Sequence, residues 1–163
     1  MERLSINNRL LQRPDPILMP DLKNDWKVLV YGEKYFVLKR NIKENDFRAS
    51  GSGYNYTAGS ESGFRVQMLN FLRKFYTAMD VPNLSIDFAW DGQTGYVFEF
   101  QGIYFGTSTQ YKSKDYYEYS QGKWKLKEND LDQEQVYVHS VVEYLKKRDK
   151  KHVLEGEPSC FNV

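Results

Sequence analysis

The chain has 163 residues, of which 23 are Lys or Arg and 22 Asp or Glu, giving a formal net charge of +1. That balance supplies no global attraction to nucleic acid or to an anionic membrane, so any charge-based function must be local. The length suits one domain rather than two, and 40% hydrophobic residues with 13 Tyr and 10 Phe predict a packed, aromatic-rich interior rather than a disordered segment.

Residues 1–25 carry Pro14, Pro16 and Pro20, whose rings block helix, and predict an extended lead-in. Residues 26–31 and 35–39 are β-branched, aromatic and aliphatic on either side of Gly32-Glu33-Lys34, the pattern of a hairpin. Hydrophobic periodicity is lost over 41–62, where glycine and serine collect, and this stretch predicts a long mobile loop. Phe64, Met68, Phe71, Leu72, Phe75 and Met79 recur at helical spacing and predict a helix over about 63–80, stopped by Pro82.

Residues 84–90 and 96–100 predict a second hairpin across 91–95. The tyrosine-rich segment 116–119 and the lysine-bearing segment 123–126 flank Ser120-Gln121-Gly122 and are expected to pair as a surface or edge feature. A last helix is predicted over about 131–148, capped by Asn129 or Asp130. Val138, Val141, Val142 and Leu145 are expected to face inward, with Lys146, Lys147 and Arg148 near its negative end. The expected fold class is α+β, an antiparallel sheet of about four strands packed against two helices. Residues 1–25 form the lead-in, 26–149 the folded unit and 150–163 a disordered tail.

In Ile86-Asp87-Phe88-Ala89-Trp90 and Val97-Phe98-Glu99-Phe100-Gln101, oxygen-bearing side chains interrupt apolar strands. A carboxylate in that setting must be paired, hydrogen-bonded or bound to a cation. Alternation puts Glu99 and Gln101 on one side of their strand, and closure of the hairpin brings Asp87 opposite them. Hard oxygen ligands of this kind suit magnesium, which retains waters and shares its shell with nucleotide phosphates. On spacing alone, a turn beginning at Asp87 and a solvated strand face bearing Glu99 and Gln101 explain the same residues. Arg48 stands beside Ser50-Gly51-Ser52-Gly53, whose backbone amides can approach phosphate oxygens. A flexible linker with an incidental arginine has the same composition.

Several of these pieces agree in order and spacing with one family. Residues 28–53 resemble the segment of ATP-grasp ligases that follows the adenine-binding hinge. Ser85-Ile86-Asp87-Phe88, the twelve residues from Asp87 to Glu99, and Glu99-Phe100-Gln101 resemble that family's metal-ligand pattern of Asp followed by Glu-x-Asn. The likeness spans about residues 25 to 105 and is nearest to the glutathione synthetase and ribosomal-protein glutamate ligase branch.

The resemblance implies ATP and a pair of Mg2+ ions as cofactors, with Asp87 binding one ion, Glu99 bridging both and Gln101 supporting the second where Asn is usual. It further implies that Arg40 and Arg48 face the phosphates and the developing acyl phosphate. Ala49 and Ser50 continue that contact segment, and Asp25 contacts the nucleotide. The implied reaction is ATP-dependent activation of a small-molecule or peptide carboxylate, followed by attack of an amine or thiol acceptor. The family's earlier lobe, with its phosphate-binding lysines, glycine-rich lid and hinge, has no recognisable counterpart before Trp26. The chain is therefore expected to be the C-terminal half of such an enzyme, with the missing lobe as its partner and neither nucleic acid nor membrane.

Other readings remain open. One is a binding module in which residues 111–124, rich in tyrosine and lysine, engage a polymer by stacking and charge. Another is a remnant that kept the fold and lost the reaction. His139, His152 and Cys160 are given no role, and the single cysteine cannot form an internal disulfide. Without a recognisable signal or membrane-spanning run, the cytoplasm is the expected compartment.

Overall fold

The computed structural model describes residues 24–41, 56–103 and 105–154, with side chains to residue 150. Arg48, Ala49, Ser50, Cys160, most of the expected lead-in and loop, and the side chain of His152 lie outside that description. The fold is α+β, and its sheet is larger than the expected four strands. It has seven, ordered β5-β4-β1-β2-β6-β7 with β3 also paired to β2.

Strands β1 (Asn24–Tyr31) and β2 (Lys34–Asn41) form the first hairpin, so the folded region begins inside the expected lead-in. The other edge of β1 pairs with β4 (Asn83–Trp90), which continues into a hairpin with β5 (Gly95–Gln101). Gly95 is required there, because a Cβ would sit 2.5 Å from Phe88 Cε2 and 2.6 Å from Phe71 Cε1. These two segments become β6 (Asp115–Ser120) and β7 (Lys123–Glu128), and β6 joins the main sheet through Lys34↔Glu118 and Tyr35↔Tyr117. The expectation of an edge feature holds for β7, which ends the strand order.

Part of the expected loop is also ordered. Strand β3 (Tyr56–Ala58) pairs with the end of β2, and a 3-10 helix follows at Gly59–Ser62. Asp115 fixes this corner by accepting from the Ser60 backbone N–H at 2.7 Å and from the Ser60 hydroxyl. Gly59 has φ 60° and lies where a Cβ would collide with the Asp115 carboxylate. Such long-range anchoring leaves no periodic signal in the local sequence.

Helix α1 (Val66–Met79) covers one face of the sheet. Met68, Leu69 and Leu72 are buried against Val28, Val30, Val37, Leu84, Ile86 and Phe88, and the other predicted helix residues pack around them. The helix ends at Asp80 in a left-handed conformation (φ 49°), two residues before Pro82. On the opposite face a smaller cluster of Leu29, Tyr31, Phe36, Tyr116 and Val136 lies beneath Phe105 and Leu131. This face also receives α2 (Ser108–Lys112), a third helix beyond the two expected.

Helix α3 (Gln133–Leu154) corrects three expectations. It runs past residue 148 into the segment expected to be a disordered tail. Asp132 caps it, accepting the Gln135 N–H at 2.9 Å, while Asn129 instead ties down the carbonyls of Gln110 and Ser113. The side turned to the sheet is also not the valine stripe. Val136 is buried, Ser140 donates to the buried Asn83 side chain, Tyr144 donates to the Asp80 carbonyl at 2.6 Å and Lys147 reaches Glu33 at 3.9 Å. Val138, Val142 and Leu145 remain 57%, 40% and 41% exposed. The seat beneath α3 presents Asn83, Glu33 and a backbone carbonyl, so it selects hydrogen-bonding groups over the most apolar stripe. Among the described residues no helix is long and apolar enough to cross a membrane.

Candidate functional site

The face that carries α3 at one end is charged at the other. Strand alternation and register arrange it in successive rows. The outermost row contains Tyr56, Arg40 and Asp25. The next contains Leu38, Lys27, Asp87 and Glu99, each paired with its neighbour across β2, β1, β4 and β5. A third contains Phe36, Leu29, Ser85 and Gln101, where the apolar cluster begins.

A β-bulge sets the position of Glu99. From Trp90↔Gly95 to Phe88↔Val97 the hairpin is regular, and the register then shifts so that Asp87 faces Glu99 rather than Phe98. The extra residue also lets Val97 and Phe100 both turn toward α1, where Phe100 packs edge-on against Phe75 at 5.4 Å. Without it, Glu99 would lie on the helix-covered face.

Arg40 organises the cluster. Its Nε and Nη2 donate to the two Asp25 carboxylate oxygens at 2.7 Å each, and Nη2 also lies 3.0 Å from Asp87 Oδ2. Lys27 Nζ donates to the other Asp87 oxygen at 3.1 Å. Burial pushes the Asp25 carboxyl above its ordinary value, a tendency that the Arg40 hydrogen bonds and charge oppose without cancelling. Burial acts to lower Arg40, but its hydrogen bonds to Asp25 and the charges of Asp87 and Asp25 raise it overall.

Glu99 and Gln101 are exposed on the last strand, and the Gln101 amide nitrogen donates to Glu99 Oε1 at 2.7 Å. Among the described residues Glu99 has no cation of its own. It stands opposite Asp87, whose two oxygens are engaged by Lys27 and Arg40. A cation bound at Glu99 would sit beside this ion-paired group and supply the counter-charge that Glu99 lacks among the described residues.

Of the sequence-predicted residues, Asp25, Arg40, Asp87, Glu99 and Gln101 come together on one face. Lys27 was missed, although its place two residues after Asp25 on an apolar strand was a readable signal. The Tyr56–Lys112 contact beside Arg40, with the ammonium 4.0 Å from the ring centroid, had no local signature because its partners come from β3 and α2.

The donor set permits only a partial cation cage. No three His, Cys, Asp or Glu side chains gather to hold a metal among the described residues. Two facing carboxylates and an amide fit magnesium in its usual manner, in which waters and substrate phosphates complete the shell.

The rings of residues 111–124, considered above for polymer binding, are mostly committed to contacts within the fold. Trp124 packs edge-on against Tyr35 at 4.9 Å and donates its indole N–H to Asn70 at 2.8 Å. Tyr116 is buried, and Tyr119 lies under the Arg73 guanidinium at 3.8 Å. Tyr111 is the exposed ring of residues 111–124. Comparison with known proteins finds no matching family model, curated protein or solved structure.

Proposed function

We propose that the charged end of the sheet binds a magnesium nucleotide, and that the chain supplies the metal-binding half of an ATP-dependent carboxylate ligase of the ATP-grasp type. The observation that carries this reading is the bulge-directed pairing of Glu99 with Asp87 beside Arg40 and Lys27. Acidic oxygens for a cation thus adjoin two cationic side chains suited to phosphate oxygens. Magnesium, when bound, neutralises phosphate charge. Asp87 and Glu99 would hold the ion, with Gln101 at its margin. Arg40, kept in place by its fork on Asp25, would turn its remaining donor capacity to phosphate.

In the full reaction a carboxylate attacks the terminal phosphorus of ATP and ADP leaves. An amine or thiol acceptor then displaces phosphate from the activated acyl group. A lobe that encloses the nucleotide from the other side is part of this proposal, and the affinity of the present chain for ATP is expected to be modest.

Isothermal titration of the chain with ATP, with and without magnesium, tests the reading. We expect binding only with magnesium, and a loss of at least about tenfold in Glu99→Gln, whose exposed side chain can change without disturbing the core. Equal heats with and without magnesium, or no binding up to about 5 mM ATP, would reject it.

A further inference from the structure

The outward face of α3 has the composition of a contact surface. Val138, Val142 and Leu145 follow at spacings of four and three on one stripe, all exposed, and the first two border a groove of about 750 Å³ reaching Lys34 and Leu131. The sheet-facing side is already engaged through Val136, Ser140, Tyr144 and Lys147, so this stripe is not needed to hold the helix on its own subunit.

The charges beside the stripe specify what covers it. Glu134, Val141 and Arg148 are each seven residues apart and form one flank. That row is acidic at its start, apolar at its centre and basic at its end. When the helix is placed antiparallel to a copy of itself about Val141, Glu134 comes level with Arg148 of the partner subunit, and Val138 falls one residue from Leu145 of the partner subunit. The sequence around the row has the same polarity, with Asp132 and Glu134 at one end and Lys146 and Arg148 toward the other, although Lys146 also pairs with Glu143 at 3.1 Å. A parallel pair would set like charges and like helix dipoles side by side. Among the described residues Glu134 has no ion-pair partner, and Arg148 contacts Tyr144 on its own helix, 3.4 Å from its hydroxyl and 5.8 Å from its ring centroid, with no carboxylate partner.

We propose that the outer face of α3 is a homodimer interface, with two copies packing this helix antiparallel across a twofold axis near Val141. A closed, self-complementary contact of this kind uses the same patch on both subunits. A contact a few helical turns long lies at the small end of stable interfaces, so association is expected to be weak and concentration-dependent.

Sedimentation equilibrium of the full chain from about 1 μM to about 500 μM tests the proposal. The expected result is a concentration-dependent shift from monomer toward dimer, abolished by Val142→Glu at unchanged far-UV circular dichroism. Should that variant lose helicity, Val138→Gln provides the same test with a neutral side chain. Glu134→Arg and Arg148→Glu should each weaken association about fivefold or more, and the double exchange should restore it to within about twofold. A wild-type chain that stays monomeric throughout overturns the proposal, whether the stripe then takes another protein or nothing. A dimer indifferent to Val142→Glu, or single losses that the exchange fails to repair, would also overturn it.

Discussion

Arg40 and Asp25 are held in a two-point contact, with side chains only 14% and 10% exposed, and neither is tolerable alone. Removal of one member of a buried pair leaves an uncompensated charge, whereas replacement of both by apolar groups of similar volume is often neutral. Arg40→Ala should therefore lower unfolding free energy by about 3 kcal/mol, while Asp25→Leu with Arg40→Met should recover most of the loss. Urea unfolding at neutral pH measures both, and a double variant as unstable as Arg40→Ala would mean that the pair does more than neutralise itself. At this scale the sequence was informative. Charged and amide residues inside apolar strands marked Asp87, Glu99 and Gln101, because such groups are retained only where partners exist, whereas Arg40 and Asp25 were reached through the family resemblance and Lys27 was not singled out. The identities of the partners were hidden, since Asp25 meets Arg40, and Lys27 meets Asp87, only across strand pairs.

Among elements, the β6–β7 hairpin depends on the sheet it joins. Glu118 lies 2.6 Å from Lys127 on the neighbouring strand and 3.7 Å from Lys34 on β2, linking three strands. Burial by itself would raise the Glu118 carboxyl, but the Lys127 hydrogen bond and the surrounding lysine charges bring it below its ordinary value of 4.5. A carboxyl lowered in the fold stabilises above its unfolded value, and that contribution disappears as pH falls through the folded value. Wild type should exceed Glu118→Gln by about 1 kcal/mol or less at pH near 7, with the difference fading at acid pH below about 4.5. Chemical unfolding at both pH values checks the sign, and a gap that widened in acid would contradict it. The two terminal hairpin strands were legible from composition, but their attachment through Lys34 and Tyr35 was not, because about 80 residues separate the partners.

For the whole molecule, one sheet face is sealed by α1 over a continuous apolar core, while α3 closes only one end of the other. Within α3, Val136 and Ser140 are buried and later turns are held mainly by side-chain hydrogen bonds and an exposed ion pair. Local stability follows buried apolar contact, so amides in the second half of α3 should exchange before those of β1 and β4 by at least about tenfold at low protein concentration. Native-state hydrogen exchange resolved by segment provides that comparison, and equal protection would show that α3 unfolds only with the sheet. Pairing of α3 with a second copy would narrow the difference as concentration rises.

The sequence by itself determined the α+β class, the first two hairpins, the helix that covers the core and the residues that carry charge into it. These are recorded in local periodicity and turn chemistry. Only the tertiary structure decided that Asp87 faces Glu99, because one extra residue in β5 changes the side of every residue beyond it. It also decided the orientation of α3. Two sides of that helix have helical spacing, and the polar seat formed by Asn83, Glu33 and the Asp80 carbonyl favoured the side able to hydrogen-bond, leaving the more apolar stripe exposed.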